Sequence, residues 1–393
     1  MDFDLPKETE QFRKTVREFA VEVVRPKAEY YDARAEFPLD VVMQMGKMGL
    51  FGLPFPEEYG GMGGDFLTFC VAIEELARID SSVAITLEAA VGLGAMPFYL
   101  FGTEAQKHEW LVPMARGEML GGFGLTEPGG GTDVGGAKTN ARIDGDQWVI
   151  NGTKAFITNA GTSISKVVTI TAVTGEDTSD PHGHKEITSI FIPHGTAGFE
   201  VGKSYRKLGW HASDTRELSF NDCRVPLSNQ VGERGFGYRN FLKILDDGRI
   251  AIAALAVGLA QGCLDESIKY AKERSSFGRP IGTYQAIQFK IADMAVKTQL
   301  ARNQVYRAAW LKEQGRPYKA DAAMAKLYAS EIAVDCAREA VQIHGGYGFM
   351  EEFPVARHFR DSKILEIGEG TSEVQRILIA RDLGLPGTEF GLY

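Results

Sequence analysis

Apolar residues recur at three- and four-residue intervals through much of the first 120 positions, which is the period of an amphipathic helix. This period predicts a helix over residues 9–24 that ends at Pro26, because proline lacks the amide hydrogen that continues a helix. Residues 68–77 follow the same period, and residues 83–100 have so few polar positions that they predict a helix buried on most sides. Glu88 interrupts this apolar run, and we expect it at a solvent-facing position of the helix.

Short β-branched runs separated by Gly, Pro, Asp and Asn replace the helical pattern after Gly121. Residues 147–150 and 154–158 flank Asn151-Gly152, a dipeptide typical of two-residue turns, and therefore predict a hairpin. The polar stretch 175–186 predicts a loop. Further strands are predicted over residues 167–173, 187–192 and 217–220.

Helical periodicity returns after Gly237 and continues almost to the end of the chain. The predicted helices cover residues 241–273, 286–314, 320–345 and 373–383. Four helices of this length with short connections indicate a bundle. The pattern thus predicts an α+β, mainly α, protein with an N-terminal helical domain (residues 1–120), a middle β-domain (121–232) and a C-terminal helical bundle (233–393).

Composition narrows the class of partner. The 393 residues carry 43 Lys and Arg against 52 Asp and Glu, and this net charge of −9 disfavours a nucleic acid partner. Four well-separated cysteines suggest neither a disulfide framework nor a metal site, so we expect a reducing compartment and no metal. The acidic N-terminus lacks a targeting signature, and the apolar run 250–260 is shorter than the ~20 residues of a membrane span. We expect a cytoplasmic protein without a membrane span.

Two segments could carry chemistry. The glycines of LTEPGGGTD (residues 125–133) can turn several backbone amides toward an anionic or carbonyl group, although a plain connection is an equal alternative. Glu369 lies between two glycines, with Thr371 or Ser372 as the N-cap of the next helix. Apolar residues before it could desolvate this carboxylate and make it a general base, whereas the alternative is an exposed turn glutamate.

Together these segments resemble the acyl-CoA dehydrogenase family, in the family's order and over nearly the whole chain. The matching motifs are LTEPGGGTD (125–133), FITN (156–159), ERSSFG (273–278), QIHGG (342–346) and GEGTSEVQR (368–376). The resemblance implies an N-terminal helical domain, a middle β-barrel-like domain and a C-terminal four-helix bundle. It also implies a homotetramer, because the family builds its site across a subunit interface.

The resemblance further implies FAD, an acyl-CoA substrate and α,β-dehydrogenation to the trans-2-enoyl-CoA. In the family a glutamate takes the α-proton while the β-hydrogen leaves as a hydride to the flavin, and Glu369 matches that glutamate. The base's own backbone amide and a flavin ribityl hydroxyl stabilise the enolate charge. Electrons then pass to an electron-transfer flavoprotein.

By the same matching, residue roles can be assigned in three groups. Residues expected to line the flavin of their own subunit are Leu125, Thr126, Thr132, Phe156 and Thr158. Thr371 and Glu373 are expected to contact the same FAD. Residues expected to meet the FAD of a neighbouring subunit are Arg274, Phe277, Gln285, Gln342, Gly345 and Gly346. Residues expected to contact the substrate are Asp246 and Arg249 at its CoA part, Thr132, and Gly368 and Gly370 beside the acyl group.

Departures from the family pattern bear on the substrate. Gly368 replaces the tyrosine of many straight-chain members and resembles the isovaleryl-CoA dehydrogenase branch, where glycine leaves room for a branched chain. That branch takes its base from the position of Gly248, which cannot serve here. Residues 80–99 contain no Lys or Arg to bind the free carboxylate of a dicarboxylyl substrate such as glutaryl-CoA. We therefore expect a short- or branched-chain acyl-CoA substrate with Glu369 as base.

Two alternatives keep the fold. An acyl-CoA oxidase would pass the electrons to oxygen, although oxidases are usually longer chains than this one. A non-catalytic protein would only bind an acyl-CoA, which retention of both the base and the flavin-contact residues disfavours.

Overall fold

The computed structural model describes residues 4–133, 135–176 and 185–386. Its N-terminal part is helical, and the helices are α1 (Lys7–Phe19), α2 (Arg25–Arg34), α3 (Leu39–Lys47), α4 (Phe66–Ala77), α5 (Ser81–Glu88), α6 (Met96–Phe101), α7 (Glu104–Gln106) and α8 (Val112–Ala115). A π-helical segment, Ala89–Ala95, joins α5 to α6, so that Ser81–Phe101 forms one helical path. The helices predicted over residues 68–77 and 83–100 are thus confirmed.

Pro26 does not end the first helix, contrary to the prediction from the sequence. A π-helical turn over Ala20–Val24 precedes it, and the Arg25 amide donates to the Ala20 carbonyl five residues back. Pro26 then occupies the first turn of α2, where a missing amide hydrogen costs least. The helical path therefore continues from α1 into α2.

The middle part is a seven-stranded sheet. Its strands are β1 (Leu120–Gly124), β2 (Asn140–Asp144), β3 (Gln147–Thr158), β4 (Ser165–Glu176), β5 (Lys185–Pro193), β6 (Phe199–Ser204) and β7 (Thr215–Pro226). The strand order is β1-β4-β2-β3-β7-β6, and β5 pairs with β4 outside this path. Apolar side chains of these strands, Trp148 and Ile190 among them, form a core of their own. The centre of the predicted loop, residues 177–184, lies outside the described residues.

The predicted hairpin at Asn151-Gly152 is wrong. Both residues lie inside the continuous strand β3, where the pairing with β7 shifts register between Ile150 and Gly152. Gly152 has φ +146°, so this dipeptide forms a bulge rather than a turn. The hairpin turn is Gly145-Asp146, which links β2 to β3.

The C-terminal part contains α9 (Gly237–Glu273), the two-stranded ribbon of β8 (Ser275–Ser276) and β9 (Arg279–Pro280), α10 (Gln285–Glu313), α11 (Lys319–His344), α12 (Pro354–Ser362) and α13 (Ser372–Asp382). The predicted bundle is confirmed: α9 packs against α10 and α11, and α13 packs against α11. The short helix α12 was not predicted. The apolar centre of α9 is buried throughout, as a central core helix requires.

One polar cluster joins the three parts of the chain. Ser81 at the start of α5 donates from its hydroxyl to Oδ2 of Asp361 in α12 (2.7 Å). Trp210, between β6 and β7, donates its backbone amide to Oδ1 of Asp361 (2.6 Å) and its indole N–H to the Ser81 hydroxyl (3.1 Å). Asp361 is fully buried, and burial raises the pKa of its carboxyl to about 6.

Two helical paths, Ser81–Phe101 and Gly237–Glu273, are long and apolar enough to cross a membrane by length and composition alone. Most of each apolar window is buried inside the protein, which is the arrangement of a core helix. All four cysteines are buried and free. No group of side chains able to hold a metal ion occurs in the described part of the chain.

Candidate active site

Glu369 lies in the connection between α12 and α13 in a conformation that few residues adopt. Its φ is +53°, in the left-handed region that disfavours most side chains and that occurs preferentially at functional sites. Thr371 is the N-cap of α13, because its hydroxyl accepts from the Val374 amide (3.3 Å). This cap, two residues after Glu369, fixes the start of α13 at Ser372.

The carboxylate of Glu369 is buried, which excludes the exposed-turn alternative. Both of its oxygens are inaccessible to solvent and have no hydrogen-bond donor among the described residues. They pack against α9 at Gly248, where an added methyl group would overlap Oε2 and come within 3.1 Å of the carboxyl carbon. Gly248 thus provides the space that this carboxylate occupies.

The pKa of Glu369 is raised to about 7, chiefly by burial. The interaction with Glu88 and the charges of Lys326 and Arg249 act in the opposite direction. Such a carboxyl can be ionised near neutral pH and still be basic enough to accept a proton from carbon. This combination is the one a general base requires.

Two buried cations stand near this carboxylate. Lys326 in α11 is fully buried, donates from Nζ to the Gly370 carbonyl oxygen (2.6 Å), and has a pKa lowered to about 8 by burial. Arg249 in α9 is paired with Asp246 (2.5 Å), whose other oxygen binds Lys319 (2.8 Å). The structure therefore brings Asp246, Arg249 and Gly370 into the surroundings of Glu369.

Glu88 does not face solvent, and that prediction is wrong. Its side chain is fully buried, because the path Ser81–Phe101 is packed on all sides. Gly92, one turn further on, leaves room for it, since a methyl group there would lie 2.9 Å from Oε1 of Glu88. The pKa of Glu88 is raised well above its usual range by burial and by the charge of Glu369. The glutamate therefore belongs to the site.

A buried ion pair fixes the start of the glycine-rich segment. Nζ of Lys154 in β3 donates to Oε1 of Glu127 (2.9 Å) and to the Leu125 carbonyl oxygen (3.2 Å). The next strand residue, Ala155, donates its amide to the Thr126 carbonyl oxygen (2.9 Å). Leu125 and Thr126 are thereby held beside the strand that carries the predicted flavin contacts Phe156 and Thr158.

Replacing Lys154 with Met should destabilise the protein by about 2 kcal/mol, since the loss leaves the Glu127 carboxylate with only two backbone donors. Denaturant unfolding of Lys154→Met measures this loss. The double variant Lys154→Met with Glu127→Gln is the control, and it should recover part of the stability because both charges are gone. Equal stability of Lys154→Met and the unaltered protein would contradict the structural role of the pair.

The surface beside β3 is open. Phe156 is 63% exposed with φ +62°, and Thr158 is the last residue of the strand. A methyl group added at Gly129 or Gly131 would have no neighbouring atom within 4 Å, and Thr132 beside them is exposed. An exposed aromatic ring next to open glycines leaves space for a planar ring system and its phosphates, so these residues fit a flavin nucleotide.

A second group of predicted residues lies apart from Glu369. All six are exposed and stand at the α9–α10 connection or the end of α11: Arg274, Phe277, Gln285, Gln342, Gly345 and Gly346. Phe277 is 95% exposed, and the Arg274 guanidinium lies over the Tyr347 ring at 5.5 Å. Among the described residues, no hydrogen bond or ion pair joins this group to Glu369. Thr371 and Glu373 instead lie at the start of α13, and Gly368 adjoins open space.

The sequence did not reveal the roles of Glu88 and Lys326 in the surroundings of Glu369, whereas the resemblance had already indicated the position of Gly248 as that of the base in the isovaleryl-CoA dehydrogenase branch. All three residues are distant in sequence from residue 369, and the packing of α5, α9 and α11 brings them together. The one signal available was the presence of a charged residue within an otherwise apolar helical run, which applies to Glu88.

Comparison with known proteins covers nearly the whole described chain. Models for the N-terminal, middle and C-terminal domains of acyl-CoA dehydrogenases match residues 6–118, 122–223 and 235–384. The short-chain specific acyl-CoA dehydrogenase of Clostridium acetobutylicum is 46% identical over 380 residues, which cover 97% of this chain and 99% of that protein.

Two solved structures are similar over their full length. Butyryl-CoA dehydrogenase from Megasphaera elsdenii has a TM-score of 0.93 and 43% identity, covering 98% of this chain and 100% of that one. A chain in a structure of the electron transferring flavoprotein of Acidaminococcus fermentans has a TM-score of 0.93 and 44% identity, covering 98% and 99%.

Proposed function

The chain belongs to the acyl-CoA dehydrogenase family and is therefore an oxidoreductase that acts on the CH–CH group of an acyl-CoA, and we propose that Glu369 is its catalytic base. The observation that carries this proposal is the buried carboxylate held in the space beside Gly248, to which no cation or backbone amide of the described residues donates. Such a carboxylate keeps an oxygen lone pair available to accept the weakly acidic α-proton of a thioester. Its pKa of about 7 leaves a large fraction of the groups ionised at neutral pH while keeping them basic enough to accept a proton.

We propose that the enzyme uses FAD. Leu125, Thr126, Thr132, Phe156 and Thr158 would hold the flavin on their own subunit together with Thr371 and Glu373. FAD, when bound, supplies the acceptor for the β-hydride. The open surface around Phe156 and the glycines of residues 129–131 supports this placement.

We propose a homotetramer in which Arg274, Phe277, Gln285, Gln342, Gly345 and Gly346 meet the FAD of a neighbouring subunit. These residues are exposed and lie at the α9–α10 connection and the end of α11. Large apolar side chains around them, Phe277, Phe289 and Phe349, are also exposed, and such a surface is typically covered by another chain. A cytoplasmic location agrees with four free, buried cysteines.

We propose a short acyl chain, straight or branched, as the substrate. Glu88 stands beside Glu369 on the helical path that lines the acyl pocket in the family, and we expect it to limit the depth available to an acyl chain. A methyl group at Gly368 would meet only the Ile364 carbonyl oxygen at 3.5 Å, so there is room for a branch. Asp246 and Arg249 would contact the CoA part. Similarity to short-chain specific and butyryl-CoA dehydrogenases agrees with this size class.

The test is anaerobic bleaching of the bound flavin's visible absorbance by butyryl-, octanoyl-, isobutyryl-, 2-methylbutyryl- and isovaleryl-CoA. We expect the four short thioesters to bleach the flavin at least about tenfold faster than octanoyl-CoA, because each methylene excluded from a pocket costs roughly 1 kcal/mol or more. Faster bleaching by a branched thioester would assign Gly368 to branch recognition. Octanoyl-CoA as the best substrate would contradict the proposed size class.

We propose an electron-transfer flavoprotein as the electron acceptor. The similarity to a chain from the Acidaminococcus fermentans structure supports this assignment. Reoxidation of the bleached enzyme by air, with stoichiometric peroxide, would instead indicate an oxidase. Turnover with an electron-transfer flavoprotein and little peroxide is the expected result.

A further inference from the structure

Glu88 and Glu369 form an isolated pair of buried carboxyl groups. All four of their oxygens are inaccessible to solvent, and none has a hydrogen-bond donor among the described residues when both groups are counted as ionised. The two side chains are close enough to act on each other, since Glu369 raises the pKa of Glu88 and Glu88 lowers that of Glu369. Gly92 leaves the space that the Glu88 carboxyl group occupies, and Gly248 leaves the space for that of Glu369.

Two buried carboxylates in contact cannot both be ionised without a large electrostatic cost. A single proton between them removes the repulsion and gives each group a hydrogen-bond partner. The same hydrogen bond engages one oxygen of each carboxyl group, so two of the four oxygens gain a partner. The pair therefore needs one proton, and the question is which carboxyl group carries it.

The surrounding charges favour the proton on Glu88. The charged groups that act on Glu369 are Glu88 from α5, Arg249 from α9 and Lys326 from α11. Among the described residues, Glu369 is the one charged group that shifts the pKa of Glu88. The charges of Glu366 and Glu373 also act on Lys326 and raise its pKa. Arg249 forms an ion pair with Asp246. The cations thus stand on the side of Glu369 and stabilise its ionised form.

We propose that Glu88 is a positioning residue that stays protonated in the free enzyme and donates a hydrogen bond to the Glu369 carboxylate. This inference rests on the proposed role of Glu369 as base. Glu88 then has two effects: it orients the carboxylate, and it stabilises the charge that the base must carry before the substrate arrives.

The proton balance of the reaction follows from this arrangement. Before the reaction the pair holds one proton, on Glu88. When the α C–H bond breaks, its proton forms an O–H bond with Glu369, so the pair then holds two protons and no charge. One proton must leave before the next turnover, and it leaves from Glu369, because the cations beside it favour its ionised form.

Infrared titration of the FAD-loaded enzyme without any acyl-CoA tests the shared proton directly. We expect a protonated-carboxyl band that persists about two pH units above neutrality, where Glu369 is ionised, and that is absent from Glu88→Gln, with loss of protons from the pair in two separate steps. Identical carboxyl bands in Glu88→Gln and the unaltered enzyme would overturn the proposal. Because this measurement needs no turnover, it is independent of whether Glu369 acts as the base, which the bleaching rates of Glu369 variants decide.

The pH profile of kcat/KM tests the positioning role. Glu88→Ala removes the donor, so the pKa of Glu369 should rise and the acid limb should move up by about one pH unit. Below the limb this shift lowers kcat/KM about tenfold, while activity at high pH changes much less. Glu88→Gln keeps a donor of the same length and should restore the limb to within a few tenths of a unit. An acid limb that does not move in Glu88→Ala would contradict the hydrogen bond from Glu88 to Glu369. If Glu88→Ala fails to fold, the infrared titration of Glu88→Gln tests the same hydrogen bond.

Discussion

Glu369→Gln should retain its flavin and lose turnover by roughly 10³-fold, since general base catalysis typically contributes 10²–10⁴-fold. The amide has nearly the shape of the carboxyl group, so it fits the space beside Gly248. It has no usable basicity, and an α-proton beside a thioester needs a base. The measurements are the flavin-to-protein ratio of the purified variant and its rate of flavin bleaching with butyryl-CoA.

Glu366→Gln is the matched control for this substitution. Glu366 lies three residues before Glu369 and loses only a solvent-accessible ion pair with Lys363, which is worth less than about 1 kcal/mol. Its bleaching rate should stay within about twofold of the unaltered enzyme. Survival of most activity in Glu369→Gln would place the base elsewhere.

Gly248→Ala should lower kcat by about 10²-fold without unfolding the protein. The added methyl group overlaps Oε2 of Glu369, so the carboxylate must swing away from its position. A misplacement of about 1 Å can cost 10²-fold in rate. Because Gly248 lies inside α9, alanine improves helix propensity by up to about 1 kcal/mol, so the unfolding free energy should not fall.

Two further variants separate this steric effect from general damage. Gly368→Ala adds the same methyl group at ordinary contact distance, 3.5 Å from the Ile364 carbonyl oxygen, and should leave the bleaching rate with butyryl-CoA within a few-fold. Glu369→Asp shortens the base and relieves the clash. The double variant Gly248→Ala with Glu369→Asp should therefore be more active than the product of the single effects predicts. Strict additivity would argue against direct contact between the two positions.

The helices of the bundle could be predicted from the sequence because their apolar period runs unbroken over many turns. α10 and α11 begin and end within a residue or so of the predicted bounds. Pro26 and Asn151-Gly152 were misassigned for the same reason, which is that a local signal was overridden by its surroundings. A preceding π turn accommodates Pro26, and pairing with β7 keeps the strand through Gly152 continuous.

The resemblance to a family indicated Glu369 and the neighbouring position of Gly248, but not the charged groups that shift the pKa of Glu369. Lys326, Gly248 and Glu88 lie on three different helices, and no pattern within any one helix relates them to residue 369. Glu88 was misjudged because the helical period assigns a charged residue to the solvent face. That rule fails where a helix is covered on every side, as α5 is.

The polar cluster at Asp361 has a consequence for how the chain acquires its structure during synthesis. Its Ser81–Asp361 hydrogen bond spans 280 residues of sequence. Closing so long a loop costs chain entropy, so this contact forms late, after the ribosome has released residue 361. Until then α5, which carries Glu88, lacks its partner from α12. The proton-sharing pair is therefore assembled only after residue 369 has been synthesised, and a nascent or truncated chain that lacks this residue cannot start the chemistry.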